Sequence, residues 1–446
     1  MPRNKPFVIL GLVALLGLVA LLGAFAGGSR STVADNDADM TVPAANMKLD
    51  ANFQAVPAKG EAAALAFPNL RVNTDTTNEA QNEPFIAVNP ANPNHIVVGA
   101  NNWQAGSGLF EVFAYVTFDK GQTWQSSQPY INRNASRLNA ADPTVAFGAN
   151  GTVYFGFVAL NPSAGAVAVS TSHDGGLTWS SQNWATNFNT PADKPAIAVS
   201  NGRVYVFFQN QSLNVTSSPD GANWSAPTAL EAGGRNAAPV VDAKGNVSVF
   251  YNTASQIKMA RVNARGNARI TVANTVALQQ RPTEYRANIY AAAAVDANGV
   301  YHVAWADGRN AGSGNDIMYT TSSNGTTWSA PARVNTDAGA ADQLMPAVAV
   351  GADGYVNIAW LDNRNDSANI NYDVYMARGI NGAFGANQRV TAVSSNPYND
   401  PRTQGTMIGD YFAIGAGDGF VYPVWTDTRN NNEDIYMAPV PVSANK

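Results

Sequence analysis

The sequence predicts an all-β protein that forms a closed, seven-bladed β-propeller. Three observations predict this fold: an octapeptide that recurs after alternating apolar runs, a two-stranded hairpin that recurs seven times, and a final repeat whose missing strand is found near the N-terminus. A repeat of about 40 to 65 residues that can bury its apolar faces only against its neighbours is typical of a propeller blade.

The recurring octapeptide has its fullest copy at residues 172–179, which read Ser-His-Asp-Gly-Gly-Leu-Thr-Trp. A second full copy spans 117–124, and shortened copies span 218–224 and 322–328. The Asp or Asn and the Ser or Thr can bond backbone amides of a tight turn, the Gly accepts positive φ, and the Trp packs on neighbouring residues. We assign this structural role to Thr117, Asp119, Gly121, Thr123, Trp124, Ser172, Asp174, Gly176, Thr178, Trp179, Ser218, Asp220, Gly221, Trp224, Ser322, Asn324, Gly325 and Trp328.

The recurring hairpin consists of an apolar run, a small turn that usually contains Gly, and a second apolar run. Its copies span 86–98, 145–157, 197–208, 240–251, 293–305, 348–360 and 413–425. A third strand such as 316–321 or 373–377 follows, then the octapeptide turn, then a fourth strand such as 332–336. Each copy therefore predicts one four-stranded blade.

The last repeat lacks a fourth strand, because its third strand at 434–438 is followed only by 439–442 and a short tail. Residues 70–75, Leu-Arg-Val-Asn-Thr-Asp, match residues 332–337, Ala-Arg-Val-Asn-Thr-Asp, almost letter for letter. We therefore predict that the N-terminal segment supplies the missing strand, which removes the open sheet edge and closes the ring.

The octapeptide closely resembles the Asp box, or bacterial neuraminidase repeat, of the sialidase superfamily (exo-α-sialidase-like proteins). The resemblance implies a propeller, and since sialidases usually have six blades, six is the alternative count. It also implies a glycan substrate, a carboxylate held by three arginines, and a Tyr nucleophile paired with a Glu. No sialidase site transfers residue by residue. Asn69-Leu-Arg71-Val stands nearest to the enzymes' Arg-Ile-Pro, and Arg71 has repeat partners in Arg333 and Arg389.

The N-terminus predicts export. Arg3 and Lys5 precede an uncharged apolar run from Phe7 to Ala26 that ends in Ala-Phe-Ala. Residues 1–26 are therefore either a cleaved signal peptide or an N-terminal membrane anchor through 7–26. Residues 27–65 predict a flexible Ala/Asp-rich spacer, 66–442 the propeller and 443–446 a tail. We expect a periplasmic, cell-surface or secreted location.

Composition excludes several function classes. The net charge is -5 and no Lys or Arg run occurs, so we expect no nucleic-acid partner. The chain has no Cys, which excludes disulfides and a Cys-linked lipid anchor. Its three His residues are not spaced as a metal site.

One candidate set contains three arginines in a repeated Trp-x-Asp-x-Arg-Asn pattern: Arg309, Arg364 and Arg429. Recurrence in three consecutive blades favours a structural Asp–Arg pair that links neighbouring blades. The alternative is recognition of a ligand carboxylate, which guanidinium groups bind in bidentate fashion.

A second set contains acids predicted just before the first strands of blades, on the same face as the arginines: Glu83, Asp142, Asp193, Asp342 and Asp410, with Tyr411 beside the last. Strand capping is the structural interpretation. Glu83 is otherwise a binding candidate. The four Asp residues and Tyr411 are otherwise candidates for glycoside hydrolysis, and Ca²⁺ coordination by the acids is a further alternative.

These observations favour a non-catalytic module that binds an extracellular glycan or protein ligand, with glycoside hydrolysis as the alternative function. We expect a monomer without a firmly required cofactor or metal.

Overall fold

The computed structural model describes residues 67–442 except 105–108, 130–138, 162–163, 190, 264–267, 278–282, 288–289, 311 and 404–406. The predicted signal or anchor at 1–26, the predicted spacer at 27–65 and the predicted tail at 443–446 lie outside the described residues. Among the described residues there is no helix of sufficient length and apolarity to cross a membrane.

The described chain forms seven antiparallel sheets in sequence order, which are the seven blades of a β-propeller. A first short strand, β1 (Leu70–Arg71), belongs to the last blade. Blade 1 contains β2 (Ala80–Val88), β3 (Ile96–Trp103), β4 (Phe110–Thr117) and β5 (Gln125–Ser127). Blade 2 contains β6 (Asn139–Phe147), β7 (Val153–Leu160), β8 (Gly165–Ser172) and β9 (Asn183–Trp184). Blade 3 contains β10 (Asp193–Ser200), β11 (Arg203–Gln209), β12 (Ser212–Ser218) and β13 (Thr228–Ala232).

The remaining blades follow the same order. Blade 4 contains β14 (Arg235–Val241), β15 (Val247–Asn252), β16 (Gln256–Val262) and β17 (Ala268–Ala277). Blade 5 contains β18 (Ala292–Val295), β19 (Tyr301–Asp307), β20 (Asp316–Ser322) and β21 (Ala332–Arg333). Blade 6 contains β22 (Gln343–Val350), β23 (Val356–Asp362), β24 (Asp373–Ile380), β25 (Ala383–Phe384) and β26 (Gln388–Arg389). Blade 7 contains β27 (Ala413–Gly417), β28 (Phe420–Asp427), β29 (Asp434–Met437) and β30 (Val440–Pro441).

All seven predicted hairpins form the first two strands of a blade, so the seven-blade count is confirmed. The first strand of a blade begins earlier than predicted in several blades, because each of these strands continues through a β-bulge. Register shifts mark the bulge between Asn82 and Phe85 in blade 1 and between Ala141 and Thr144 in blade 2. Glu83, Asp142 and Asp193 therefore lie inside strands β2, β6 and β10 rather than before them.

The hydrophobic core lies between neighbouring blades and not within any one of them. One buried cluster joins Val112 and Val116 of blade 1 to Phe155 and Phe157 of blade 2, for example. The apolar side chains of central strands are buried on both faces, as expected for a sheet that has a blade on either side. Trp305, Trp360 and Trp425 are among the largest fully buried side chains.

The ring is closed by the predicted N-terminal strand. In β1, Leu70 pairs with Met437 and Arg71 with Tyr436 of β29. The paired part is shorter than the predicted 70–75. Asn73 Oδ1 accepts a hydrogen bond from the Ile435 backbone N at 2.9 Å, so a side-chain oxygen replaces the next ladder carbonyl.

The four octapeptide turns lie between the third and fourth strands of blades 1, 2, 3 and 5, as predicted. In the blade 2 copy, the Gly176 N donates to Ser172 Oγ at 2.7 Å, and the Thr178 N donates to Asp174 Oδ1 at 2.9 Å. Gly176 has φ 98°, which favours glycine. Trp179 Nε1 donates to Ser127 Oγ of blade 1 at 2.9 Å, so the turn also attaches its blade to the preceding one.

Candidate functional site

In five blades the first strand carries a β-bulge at the same place, near its N-terminal end and close to the connection from the preceding blade. The bulged residue has positive φ in each case although none is glycine: Glu83 (55°), Asp142 (56°), Lys194 (46°), Asn236 (61°) and Met345 (50°). Such a conformation costs on the order of 1 kcal/mol per residue and is retained where the surrounding structure requires it. The blades therefore share the bulge, whereas the side chain on it differs from blade to blade.

Contacts show that these positions converge on the propeller axis. Lys194 of blade 3 donates from Nζ to Asp410 Oδ2, which precedes blade 7. Arg286, which precedes blade 5, donates to the same carboxylate from Nε at 3.0 Å and from Nη2 at 2.7 Å. Side chains from blades that are not neighbours can meet in this way only across the centre of the ring. We call Glu83, Asp142, Lys194, Arg286 and Asp410 the axial cluster.

The two cations in the axial cluster neutralise one acid. Asp410 is 2% exposed, Lys194 is 8% exposed and Arg286 is 26% exposed at the side chain. Burial opposes ionisation of Asp410, but the charges of Lys194 and Arg286 outweigh it and lower the pKa of this carboxyl to about 2. The pKa of Lys194 is raised, because the Asp410 charge overcomes the effect of burial. Asp410 is therefore an ionised carboxylate bound by both cations.

The other acids of the cluster form a row of carboxyl groups. Asp142 is within hydrogen-bonding reach of Glu83 on one side and of Asp193 on the other. Burial, followed by the neighbouring Glu83 charge, raises the pKa of Asp142 to about 7. Burial also raises the pKa of Glu83. Since adjacent buried carboxylates repel each other, the pair holds a proton to higher pH than an isolated carboxyl group would.

Two tyrosines complete the surroundings of the axial cluster. Lys194 Nζ lies 5.7 Å from the ring centroid of Tyr411 and 5.8 Å from that of Tyr290. Both hydroxyl oxygens are buried; Lys194 lies beside that of Tyr290, and that of Tyr411 has no hydrogen-bond partner within the part of the chain that the structure describes. A buried hydroxyl without a partner is costly, so the Tyr411 hydroxyl is available to a ligand.

A second buried acid is connected to the axial cluster through two asparagines. Asn101 Nδ2 donates to Glu83 Oε2 at 2.8 Å and to Asn82 Oδ1 at 3.1 Å, and Asn82 Nδ2 donates to Glu433 Oε2 at 2.8 Å. Thr403 Oγ1 donates to the other Glu433 oxygen at 2.8 Å. Burial raises the pKa of Glu433 to about 8. Blades 7 and 1 are thus joined by a polar network that ends at the Glu83 carboxyl.

The structure brings together only part of the predicted acid set. Glu83, Asp142, Asp193 and Asp410 meet at the axis, and Tyr411 lies beside them. Asp342 does not join them. It accepts hydrogen bonds from the Asn315 N and Nδ2, each at 2.8 Å, and it also binds Asn369. Asp342 therefore links the loops of blades 5 and 6, because it precedes the bulge at Met345 by three residues.

The three predicted binding arginines lie in the loops between second and third strands, and each is paired within its own loop. Arg429 Nε and Nη2 contact the two oxygens of Asp427 at 2.8 and 2.7 Å, and Trp425 Nε1 donates to Asp427 Oδ2 at 2.8 Å. Arg309–Asp307 and Arg364–Asp362 repeat this arrangement. The repeated Asp and Arg therefore pair within one loop and not between blades as expected, because a spacing of two residues lets the guanidinium reach the carboxylate of its own loop. Arg364 also forms an ion pair with Asp337, which follows blade 5, at 3.5 Å.

Two asparagines, Asn69 and Asn387, connect two of the loop arginines to the neighbouring blade. Asn69 Nδ2 donates to the Val390 O at 3.0 Å, and its Oδ1 accepts from Arg429 at 3.1 Å. Asn387 occupies the equivalent place one blade earlier, donating to the Val334 O at 3.2 Å and accepting from Arg364 at 3.1 Å.

Sequence reasoning missed Lys194, Arg286, Tyr290 and Glu433. A usable signal existed for Lys194: Glu83-Pro84, Asp142-Pro143, Lys194-Pro195 and Met345-Pro346 occupy the same place in their hairpins. No Xaa-Pro pair marks Arg286 or Tyr290, which lie in a blade-to-blade connection, although Tyr290 stands three residues before its hairpin, as Glu83 does. In the described residues, no group of three or more His, Asp or Glu side chains is arranged to hold a metal ion.

Comparison with known proteins gives the family context. Residues 94–303 match the family described as BNR repeat-like domain. No curated protein matches the sequence. Similar solved structures include the GH93 α-L-arabinofuranosidase of Fusarium graminearum in complex with arabinobiose, at 13% identity over 84% of this chain and 98% of that chain, with a TM-score of 0.48.

Two further similar structures have other ligands. A leech intramolecular trans-sialidase complexed with 2,7-anhydro-Neu5Ac is 10% identical over 75% of this chain and 71% of that chain, with a TM-score of 0.48. YCF48 bound to D1 peptide is 14% identical over 86% of this chain and 97% of that chain, with a TM-score of 0.46. The chain is thus a seven-bladed β-propeller with Asp-box turns, of which residues 94–303 match the BNR repeat-like domain.

Proposed function

We propose that the protein is an exported glycan-binding module that takes its ligand at the axial cluster. The observation that carries this proposal is the repeated bulge. Every blade that has it holds a non-glycine residue at positive φ, yet the residue is an acid, a base, an amide or a thioether according to the blade. A purely structural requirement would favour glycine at each bulge. Different ionisable groups held at equivalent strained positions favour a ligand site.

A glycan suits the chemistry of this site. The axial cluster offers carboxyl oxygens that accept hydrogen bonds from sugar hydroxyls, and the Tyr290 and Tyr411 hydroxyls can both donate and accept. The rings of the two tyrosines lie 5.9 Å apart and add apolar area for the face of a sugar. The sialidase-like BNR-repeat fold supports the same ligand class.

Export is the second part of the proposal, and it rests on the sequence of the N-terminus. A pair of basic residues followed by the uncharged run from Phe7 to Ala26 supports passage through a membrane, with cleavage or anchoring as the two outcomes. Fractionation of expressing cells and N-terminal sequencing test this point. Recovery of the protein in the cytoplasm with an intact N-terminus would contradict it.

Binding is tested with a glycan array, followed by titration calorimetry on the glycans that are retained. Tyr411→Phe removes a buried hydroxyl from the ligand site, so we expect weaker binding by about tenfold and an unchanged melting temperature. Tyr422→Phe is the matched control. It removes another buried hydroxyl without a partner among the described residues, from a core cluster formed by blades 1 and 7. Equal effects of the two substitutions on binding would show that the axial cluster is not the site.

Glycoside hydrolysis is the alternative function, and the carboxyl pair is the observation that favours it. Asp142, with a pKa raised to about 7 by burial and by Glu83, has the proton affinity of a general acid. However, the carboxyl pair of a retaining glycosidase stands about 5 Å apart and that of an inverting one farther. Glu83 and Asp142 are within hydrogen-bonding reach of each other, which favours binding over hydrolysis.

A panel of fluorogenic glycosides separates the two functions. Turnover that is lost in both Asp142→Asn and Glu83→Gln, with glycan binding kept, would establish hydrolysis. Binding without turnover across the panel would establish the binding module.

A further inference from the structure

We infer that the axial site selects glycans that carry no carboxylate or sulfate, so that its ligands are neutral or amine-bearing sugars. This inference rests on the proposed function and names the ligand class within it. In a sialidase, three arginines would hold an acidic sugar by its carboxylate. Here the inference is the opposite, because the cations of the axial cluster are already paired with a carboxylate of the protein.

The cations at the axis are occupied by the protein itself. Arg286 contacts both oxygens of Asp410 in a bidentate pair, with Nε at 3.0 Å and Nη2 at 2.7 Å, and Lys194 donates to the same carboxylate. Such fork-like pairs are the geometry in which arginine would otherwise hold a ligand carboxylate. An acidic sugar would have to displace Asp410, and the displaced carboxylate is 2% exposed and would remain in the site without a partner.

The other ionisable groups at the axis repel an anion. Glu83, Asp142 and Asp193 form the row of carboxyl groups described above, so acids outnumber the two cations even with one proton shared. Low local dielectric strengthens like-charge repulsion, and repulsion of the wrong ligand is an effective source of specificity. A protonated amine, by contrast, would meet carboxyl oxygens that can accept its hydrogen bonds.

The arginines on the loops cannot provide a carboxylate clamp instead. Arg309, Arg364 and Arg429 each form a close pair with an Asp that is fully buried. Their side chains are 24%, 15% and 16% exposed, and the guanidinium groups of Arg364 and Arg429 also lie over the rings of Tyr375 and Tyr436 at 4.2 Å. Each guanidinium is therefore already paired with a carboxylate of the protein, and Arg364 also lies 3.5 Å from Asp337.

The first test uses sugars that differ only in charge. The full-length protein is titrated with 3′-sialyllactose and its methyl ester, with a galacturonic acid trimer and its methyl ester, and with chitotriose and its deacetylated, amine-bearing form. We expect each ester that binds to do so at least about tenfold more tightly than its matched acid, and the amine-bearing trimer to bind at least as tightly as chitotriose. Tighter binding of the acid forms would overturn the inference and leave the glycan-binding function standing. Binding of no sugar in this panel or on the array would overturn both.

The second test uses acetate instead of a sugar and asks whether Lys194 and Arg286 can bind an added carboxylate. Sodium acetate, compared with sodium chloride at equal ionic strength, should leave the melting temperature of the wild type unchanged. Asp410→Asn releases Lys194 and Arg286, so acetate should now stabilise the protein by a few degrees. Asp342→Asn is the matched control, since it removes a buried carboxylate that lies outside the axial cluster, where Asn315 and Asn369 donate to it. Stabilisation of the wild type by acetate would overturn the inference, as would equal gains in both variants.

A third variant decides the question if Asp410→Asn does not fold. Arg286→Gln removes the more exposed cation and leaves Asp410 bound by Lys194. If Arg286 is engaged as described, this change leaves the affinity for the acid sugars no weaker than in the wild type. A loss of acid-sugar binding in Arg286→Gln would show that the guanidinium holds a ligand carboxylate, and it would overturn the inference.

Discussion

Arg71 Nη2 donates to Asp434 Oδ1 at 2.7 Å and so joins two residues that are 363 positions apart in the chain. The same pair occurs within blades 5 and 6, as Arg333 with Asp316 and Arg389 with Asp373, each at 2.7 Å. The Arg–Asp pair that closes the ring in blade 7 is therefore the same pair that joins the third strand to an outer strand within blades 5 and 6. Closure by β1 supplies the outer strand of blade 7, which otherwise would expose an unpaired edge.

Breaking this closure should destabilise the whole ring. Arg71→Gln should lower the free energy of unfolding by about 1 to 3 kcal/mol, because Asp434 is 1% exposed and loses its cation while keeping asparagine donors. Arg261→Gln is the control. Arg261 donates to the exposed Asn324 O at 2.6 Å, so we expect less than about 0.5 kcal/mol. Denaturant unfolding measures both.

Deletions test the same closure more severely. Removing residues 67–76 should strongly lower the melting temperature, whereas removing 28–60, in the predicted spacer, should not change it. Equal melting temperatures for the two deletions would mean that β1 does not close the ring.

The Asp–Arg pairs of the loops should behave as coupled units. Asp427 is fully buried, and it accepts from Trp425 Nε1 at 2.8 Å, from the Arg429 backbone N at 2.9 Å and from the Arg429 guanidinium. Asp427→Asn should therefore cost about 3 to 5 kcal/mol. Arg429→Gln should cost about 1 to 2 kcal/mol, because the carboxylate keeps its other donors.

A double-mutant cycle measures this coupling. The double variant should recover part of the loss, with an interaction energy of about 0.5 to 3 kcal/mol. Strictly additive losses, together with loss of glycan binding in Arg429→Gln alone, would assign the arginine to a ligand instead.

The carboxyl row should make stability depend on pH. Burial and the Glu83 charge raise the pKa of Asp142 to about 7, above the unfolded value near 4, so between these values the folded state binds more protons. The stability that this group contributes is fully present below about pH 4, and it falls as the pH rises to about 7. Asp142→Asn should therefore flatten the decline of melting temperature with pH in that window.

Glu433 offers a comparison with a slightly different window. Burial raises its pKa to about 8, so Glu433→Gln should remove a decline that extends to about pH 8. Asp410, whose pKa is lowered to about 2, contributes no slope above about pH 5. Parallel pH profiles for the wild type and both variants would contradict the raised pKa values of Asp142 and Glu433.

One Asp box contains Asn in place of the Asp, which allows the two side chains to be compared. Asp174 accepts from the Thr178 N at 2.9 Å and the Leu177 N at 3.1 Å, and Asn324 in blade 5 accepts from the Thr326 and Thr327 N, each at 2.8 Å. An amide oxygen therefore performs the same task. We expect Asp174→Ala to cost about 1 to 2 kcal/mol and Asp174→Asn less than about 0.5 kcal/mol by denaturant unfolding. A similar loss for both would show that the charge matters more than the acceptor.

The sequence by itself determined the number of blades, the hairpin in each, the Asp-box turns and the closing strand. These features depend on local signals, since a turn needs Gly at positive φ and a buried strand needs an apolar run, whatever the position of the blade in the ring. Even the closing strand could be found locally, because residues 70–75 repeat the text of 332–337.

Only the tertiary structure decided which polar residues meet. Lys194 and Asp410 are separated by 216 positions, and Arg286 and Asp410 by 124, so their contacts exist only because the ring is closed and its axis is narrow. Asp342 shows the converse, since it shares the acidic character of Asp142 but lies three residues before the bulge of its blade. A one-residue change in a strand reverses the direction of a side chain, and a bulge shifts it again. The identity of the axial cluster therefore depends on bulge position, which the recurring Xaa-Pro pair marks in four blades, and on ring geometry, for which a single sequence carries no local signal.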